Sequence, residues 1–402
     1  MYVAARGGEQ AIQNAESLYH ALKNRPTREM VQAIERTMPY LVDRVMGEGS
    51  LYAPELAALA LAQTGGDLYE AVLILRAFRS TQPRLAYAEP VSTQTLFTVR
   101  RISAAFKDIP GGQVLGPTLD YSHRILQLEV LDGNAPGEAA EGATPPRGLS
   151  EYASNYTDNP PRTAVSDEQP PAESTSTYPL VADWHRLTGL MPPLSQQAHQ
   201  NPEEVPDVTR EPLLFPAPRA ERLQSFSRAD TGGILSLGYA NMRGYGLIHP
   251  TINELRLGYA GVQLRHPITG DVFSLGRVRI SQAEIISNVP SAAQTPENDA
   301  HNQKNKQEFG LGFAATLGWN EVKVIAASML DMAMDAPQPH PAHTEEFVLY
   351  HTDPVEASGF CIHYKLPHYV TFASGLDAMR GANALADAAT DTESPQAMEV
   401  NV

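Results

Sequence analysis

The stretch "ELRLGYAGVQLRHPITGDVFSLGRVRI", residues 254–280, does most to limit what this chain can fold into. "ELRLGY", "VQLRH" and "DVFSLGRVRI" alternate apolar and polar residues, the period-two pattern of half-buried strands. "HPITGD" between two of them reads as a hairpin turn. An antiparallel sheet is therefore expected here. Arg277 and Arg279 share one strand face. They form either a basic ligand wall or, more simply, a solvated sheet face.

Helical patterns dominate the first third. In "REMVQAIERTMPYLVDRVM", Met30, Val31, Ile34, Met38, Leu41, Val42 and Val45 recur at helical spacing. "APELAALALAQTGG" ends in glycines suited to a helix C-terminus. "DLYEAVLILRAF" opens on Asp67 with Glu70 three residues on, a capping-box signature. Further on, "LVADWHRLTGLM" suits a short amphipathic helix through Leu180, Val181, Trp184, Leu187 and Leu190. Asn320 is placed to cap a helix reaching about Met334. "EEFVLYHTDPVEASGFCIHYKLPHYVTF" reads as strand-like runs.

Between these parts the composition changes. Residues 133–177 are rich in Pro, Gly, Ala, Ser and acids. They hold too little apolar surface to offset the entropy of ordering, so a flexible insertion is expected. A second polar insert lies near 290–306. The expected class is α+β: a mainly helical region over 1–132, the insertion over 133–177, an α+β region with antiparallel sheet and further helices over 178–375, and a disordered tail over 376–402.

The formal charge of −16 argues against bulk nucleic-acid binding, which needs a basic footprint. A local arginine cluster can still oppose that field and hold a small anion. One cysteine, Cys361, permits no intrachain disulfide and fits a reducing cytoplasm. The opening "MYVAARGGEQAI" lacks the apolar core of a signal peptide, and no apolar run approaches the roughly 18 residues of a membrane span.

Two constellations could do chemistry. In "GFCIHYKLPHYV", His363 and His368 flank Pro367. A spacing of five suits neither a helix nor a flat strand, but a proline bend would let both imidazoles converge. Converging histidines are a common partial metal site. A third ligand would come from Cys361, which shares a strand face with His363, from His351 or Asp353, or from another chain. The alternative is two surface or hairpin histidines without a shared role. In "NMRGYGLIHPTINELRLG", Arg243, His249, Glu254 and Arg256 gather among glycines that allow close backbone approach to a ligand. A structural loop is the plain alternative. The chain has no Walker loop, no GxGxxG after a strand and no GxSxG elbow.

Six blocks together carry a family resemblance: "MYVAARGGEQAIQNA", "TREPLLFPAPRAERLQ", "RGYGLIHPTINELRLG", "SLGRVRISQAEII", "GWNEVKVIAASMLD" and "EEFVLYHTDPVEASGFCIHYKLPHYVTF". They resemble the PhnI family, the I subunit of the bacterial carbon–phosphorus lyase core complex, over roughly 1–130 and 178–375. The resemblance implies work with the G, H and L subunits on ATP and an alkylphosphonate, giving α-D-ribose 1-methylphosphonate 5-triphosphate and adenine. It implies a nucleosidase activity on ATP or GTP for the subunit alone. It implies packing with G, H and J subunits, two copies of each, and association with the K component of the system. It further implies a zinc at the J interface held by His363 and His368, which match the family's "HxKLPH" pair, with the partner chain completing the site.

Substitution at an anomeric carbon passes through an oxocarbenium-like state. It needs a stabilised leaving base, nearby negative charge and cationic grips on the triphosphate. By residue type and clustering, Arg243, Arg256 and Arg277 are candidates to hold triphosphate or phosphonate. Glu254 would stabilise the developing cation or orient the nucleophile, and His249 would act as acid toward the base. A non-catalytic scaffold for the J subunit is the rival reading. A stand-alone metal-dependent hydrolase is weaker, because only two metal ligands cluster.

Overall fold

The computed structural model describes residues 8–23, 25–133, 178–194, 205–245, 250–290, 307–365 and 370–392. The insertion expected at 133–177 lies outside them except for Gly133, as do His249, His368 and the stretch 291–306. Five helices come first: α1 (Gly8–Leu22), α2 (Arg28–Thr37), α3 (Pro39–Gly49), α4 (Pro54–Thr64) and α5 (Leu68–Ser80). Strand β1 (Phe97–Ile102) and helices α6 (Val181–Leu187), α7 (Arg219–Arg228) and α8 (Thr231–Ala240) follow. Then come β2 (Thr251–Arg265), β3 (Val272–Pro290) and β4 (Gln307–Leu317), and last α9 (Glu321–Met334), α10 (Glu345–His351), α11 (Pro354–Lys365) and α12 (Val370–Thr392). The class is α+β, as the sequence led one to expect.

The periodic run from Met30 to Val45 makes two helices. Met38 closes α2 by donating its N–H to the Ile34 carbonyl at 2.9 Å, and Pro39, with no N–H to donate, opens α3. Asp67 caps α5 as expected, accepting from the Tyr69 and Glu70 N–H groups at 3.1 and 3.3 Å. Helices α2 to α5 enclose a core of Val42, Val45, Met46, Leu61, Val72 and Leu75.

The sheet is antiparallel, in the order β1-β2-β3-β4. The predicted hairpin joins β2 to β3, with Arg265 opposite Val272 and the His266 N–H donating to the Asp271 carbonyl at 2.8 Å. Helix α9 lies across β3 and β4, so close that a Cβ on Gly312 would come within 2.2 Å of the Ser328 carbonyl oxygen. Phe226, Ile234, Leu255, Ala283, Val324 and Leu330 form the main core between this face and α7 to α9. Three ion pairs tie the N-terminal helices to the rest: Asp43–Arg279, Arg44–Asp230 and Arg76–Asp353.

Three expectations change. Residues 345–365 form α10 and α11 rather than strands. Asp353 accepts from the Val355 and Glu356 N–H groups at 2.9 and 3.0 Å, and Pro354 occupies the first helical position, together a strong helix start. The tail expected to be disordered from 376 continues α12 as far as Thr392, in keeping with its alanine-rich composition. Helix α6 forms as predicted, yet it buries Val181, Ala182 and His185 and leaves Leu187 88% exposed.

Candidate functional site

A cleft of about 540 Å³ opens between α3 and the starts of α8 and α9. Tyr40, Arg44, Thr231, Trp319, Asn320 and Glu321 line it. The turn Gly318–Trp319–Asn320 is held from several sides. Gly318 sits at φ +79°, and a Cβ there would lie 2.6 Å from the Asp43 Cβ. Its N–H donates to the Arg279 carbonyl at 2.7 Å, and its carbonyl accepts from the Ser281 hydroxyl at 2.9 Å. The Trp319 N–H donates to Asp43 Oδ2 at 2.9 Å, and the Asn320 N–H to Ser281 Oγ at 3.1 Å. The indole is thereby fixed at the cleft wall.

A row of rings and guanidinium groups leads away from Trp319 along the sheet. Tyr259 meets Trp319 edge to face at 5.6 Å, and the Arg279 guanidinium stands 5.9 Å from the indole centroid. Phe97 lies 6.4 Å from Tyr259, with Arg277 5.7 Å from the Phe97 ring. The pairing register explains the row: Tyr259 is opposite both Phe97 and Arg279, and Arg277 is opposite Gly261. All therefore stand on one sheet face.

The cleft floor is a connected polar net. Asn320 Oδ1 caps α9 by accepting from the Lys323 N–H at 3.1 Å, and its Nδ2 donates to Thr231 Oγ1 at 2.9 Å. Thr231 donates its N–H and hydroxyl to Glu48 Oε1 at 2.9 and 2.8 Å. Arg44 bridges Glu48 and Asp230 at 2.8 and 2.9 Å. Beneath, the Lys323 amine donates to the Ser227 carbonyl at 2.6 Å, and burial pushes its pKa down to about 8, with Glu48 pulling the other way.

The opposite sheet face holds a buried charged layer. Glu254 Oε1 accepts from Arg101 and from Arg256 Nε at 2.8 Å, and Oε2 accepts from the Val181 N–H at 3.3 Å. Arg256 also donates to the Thr93, Tyr178 and Pro179 carbonyls. Glu254 and Arg256 are both 0% exposed. Glu284 stands opposite Glu254 and accepts from Asn253 Nδ2 at 3.2 Å, while Asn253 Oδ1 meets His185 Nε2 at 2.9 Å. Burial, and then the Glu254 charge, raises the Glu284 carboxyl to about 7.

The sequence candidates therefore separate. Glu254 and Arg256 are brought together, but as each other's partners in a sealed layer, away from any substrate-facing wall. Arg277 is exposed on the aromatic row, and Arg243 is exposed in the π-helical turn Asn241–Tyr245 that extends α8. Arg279, expected on a solvated face, is 19% exposed and paired to Asp43 at 2.7 Å. His249 lies outside the described residues. Trp319, Tyr40 and Glu321 were missed as site residues. In the sequence the "GWNE" block carries a helix cap and part of the family resemblance, and nothing in it shows that Trp319 lines a cleft, since the facing wall comes from Tyr40 and Arg44 far away in the chain.

His363 is exposed on the last turn of α11, not on a strand, and Cys361 two residues earlier points elsewhere around the helix. Asp353 is committed to Arg76 at 3.0 and 2.7 Å, and His351 Nδ1 lies 2.6 Å from the Phe347 carbonyl. Among the described residues no group of three metal-ligating side chains assembles. An accessible imidazole at a helix end does suit a site finished by another chain, and imidazole suits zinc. Among the described residues, no helix is long and apolar enough to cross a membrane.

Comparison with known proteins agrees along the whole length. The sequence is 41% identical over 388 residues to a Stutzerimonas stutzeri protein named as a C-P lyase subunit, HtxH, covering 94% of this chain and 95% of that one. It is 37% identical to the Alpha-D-ribose 1-methylphosphonate 5-triphosphate synthase subunit PhnI of Rhizobium meliloti (strain 1021), covering 97% and 96%. The subunit of the same name from Escherichia coli (strain K12) is also 37% identical, covering 94% and 98%. The family described as Bacterial phosphonate metabolism protein (PhnI) matches residues 1–385. The chain belongs to the PhnI family.

Proposed function

We propose that this chain is a subunit of an α-D-ribose 1-methylphosphonate 5-triphosphate synthase in phosphonate catabolism. The observation that carries this is identity of 37% across nearly the whole of two subunits bearing that name. In the reaction an alkylphosphonate oxygen supplies the electron pair for a new bond to C1′ of ATP. The C1′–N9 bond breaks, its pair leaves on the purine, and a proton from an acid or solvent completes free adenine. Water in place of phosphonate gives ribose 5-triphosphate, a nucleosidase outcome for the subunit alone. GTP would serve likewise.

Of the arginines expected to hold phosphate, Arg243 and Arg277 face solvent and suit that role. Arg256 and Glu254 are better suited to shaping the sheet than to touching substrate. The proton donor toward the base is assigned to His249. His363 and His368 would give two nitrogen donors to a zinc shared with the J subunit. Such an ion, when bound, supplies positive charge for phosphate oxygens or staples the two subunits. The G, H and L subunits, with K, complete the system in a reducing cytoplasm.

The test is adenine release from ATP by the purified chain and by the assembled complex, followed chromatographically. Adenine from the chain alone supports a catalytic subunit. Adenine only from a complex whose I subunit tolerates every cleft substitution would leave the scaffold reading in its place. A His363→Ala/His368→Ala variant, assayed for zinc content, assembly and turnover, separates a stapling metal from one that touches substrate.

A further inference from the structure

We infer that the cleft beside Trp319 receives the purine and ribose of a nucleoside triphosphate, with the polyphosphate lying outward along Arg279 and Arg277. This rests on the function proposed above and locates its substrate on this chain. The cleft's size is that of a small-molecule site, and two of its walls are aromatic, Tyr40 and Trp319. Flat rings suit a purine through stacking, which tolerates either adenine or guanine.

Charge then sets the direction. Glu321 and Asp120 also line the cleft, paired with Arg100 at 2.6 Å and Arg124 at 2.5 Å, and Arg44 there is held between Glu48 and Asp230, so the lining offers a triphosphate no uncommitted cation. The ribose is better matched: carboxylates accept from its hydroxyls and favour positive charge developing at C1′. At the cleft's edge Arg279 stands against Trp319 with its charge shared with Asp43, and the exposed Arg277 follows two residues along the same strand face. That step is about 7 Å, close to the length of a triphosphate. Guanidinium groups are the side chains best matched to phosphate oxygens. Two of the sequence blocks, "GWNE" and "GRVRI", thus meet at one surface and supply its base-binding and phosphate-binding ends.

Tyr40 and Arg277 are exposed and stand outside the hydrophobic clusters, so their replacement leaves the fold intact. The chain has two tryptophans, and Trp184 packs on Phe106 on the other side of the sheet, so a Trp184→Phe background leaves Trp319 as sole reporter. ATP, adenosine and inorganic tripolyphosphate are titrated against Trp319 fluorescence in the full chain. ATP should quench it. Arg277→Ala should weaken ATP and tripolyphosphate about tenfold and leave adenosine unchanged. Tyr40→Ala should weaken ATP and adenosine together. An unchanged Trp319 signal with ATP, or wild-type ATP affinity in both variants, overturns the location. If the assembled synthase then still releases adenine, the proposed function survives that failure. A wild-type synthase releasing none sinks the functional reading itself.

Discussion

Replacing Glu284 with Gln should stabilise the chain at neutral pH and leave it nearly unchanged in acid. Glu284 is 5% exposed and faces the fully buried Glu254 across the β2–β3 pairing. Burial is the main reason its pKa stands at about 7 instead of 4.5, and the Glu254 carboxylate adds to it, while the Asn253 hydrogen bond and Arg256 oppose it. Below pH 4.5 the carboxyl is protonated both folded and unfolded, and no cost arises. Between 4.5 and 7 the folded chain holds a proton that the unfolded chain has released, so stability falls as pH rises. Above 7 the full cost is felt. At about 1.4 kcal/mol per pH unit, that window amounts to roughly 3 kcal/mol.

Gln keeps an oxygen for Asn253 and carries no charge, so it removes this slope. Urea midpoints of wild type and Glu284→Gln are compared at pH 4.5 and pH 8, with each difference multiplied by the m value. Burial also lowers the His185 and His343 imidazoles in both proteins; His185, joined to Glu284 through Asn253, is the one whose contribution does not cancel fully in the double difference. A variant advantage of about 3 kcal/mol at pH 8 that vanishes at pH 4.5 is expected. Parallel pH profiles would refute the reasoning, because they would mean that Glu284 is solvated or is neutralised by a partner at every pH.

Two other perturbations probe the cleft. Gly318→Ala puts a side chain at positive φ against Asp43 and should cost at least about 2 kcal/mol, with a shift in Trp319 emission that reports the moved indole. Lys323 has a folded pKa of about 8 against an ordinary 10.5, so between those values the unfolded chain binds more protons and stability rises with pH. Chemical denaturation at pH 8 and pH 10 should show that rise in wild type and its absence in Lys323→Met.

Much of the secondary structure was legible because its signals are local. Asn320, Asp67 and the glycines after Thr64 each announce a helix end within four residues, and all three ends stand where expected. The hairpin at His266–Asp271 is equally local. The misreading at 345–365 came from weighing aromatic and β-branched residues over the cap. "TDPVE" carries an aspartate N-cap, proline in the first position and glutamate in the third, and in the folded chain those signals win.

The site was less legible for a reason that periodicity cannot repair. Alternation in "ELRLGY" says that Glu254 and Arg256 share a face opposite Leu255 and Leu257, but not whether that face meets water. Here it is closed by the carbonyls of Thr93, Tyr178 and Pro179 and by the Val181 N–H, groups that lie more than 70 residues away in sequence. Charged residues so enclosed must be satisfied by one another. The Arg101–Glu254–Arg256 cluster meets that demand through side-chain pairs and backbone carbonyls, the arrangement that makes a buried charge tolerable. The clustering that marks Glu254 in sequence as a catalytic candidate and Arg256 as a phosphate-holding one is, in the fold, the pairing that withdraws both from solvent. Arg277, by contrast, is exposed beside the Phe97 ring, and among the described residues no carboxylate pairs with it. In this sheet the closeness of Arg256 to Glu254 in sequence marks a buried pair, and only the segments that close over it decide that it does not meet solvent.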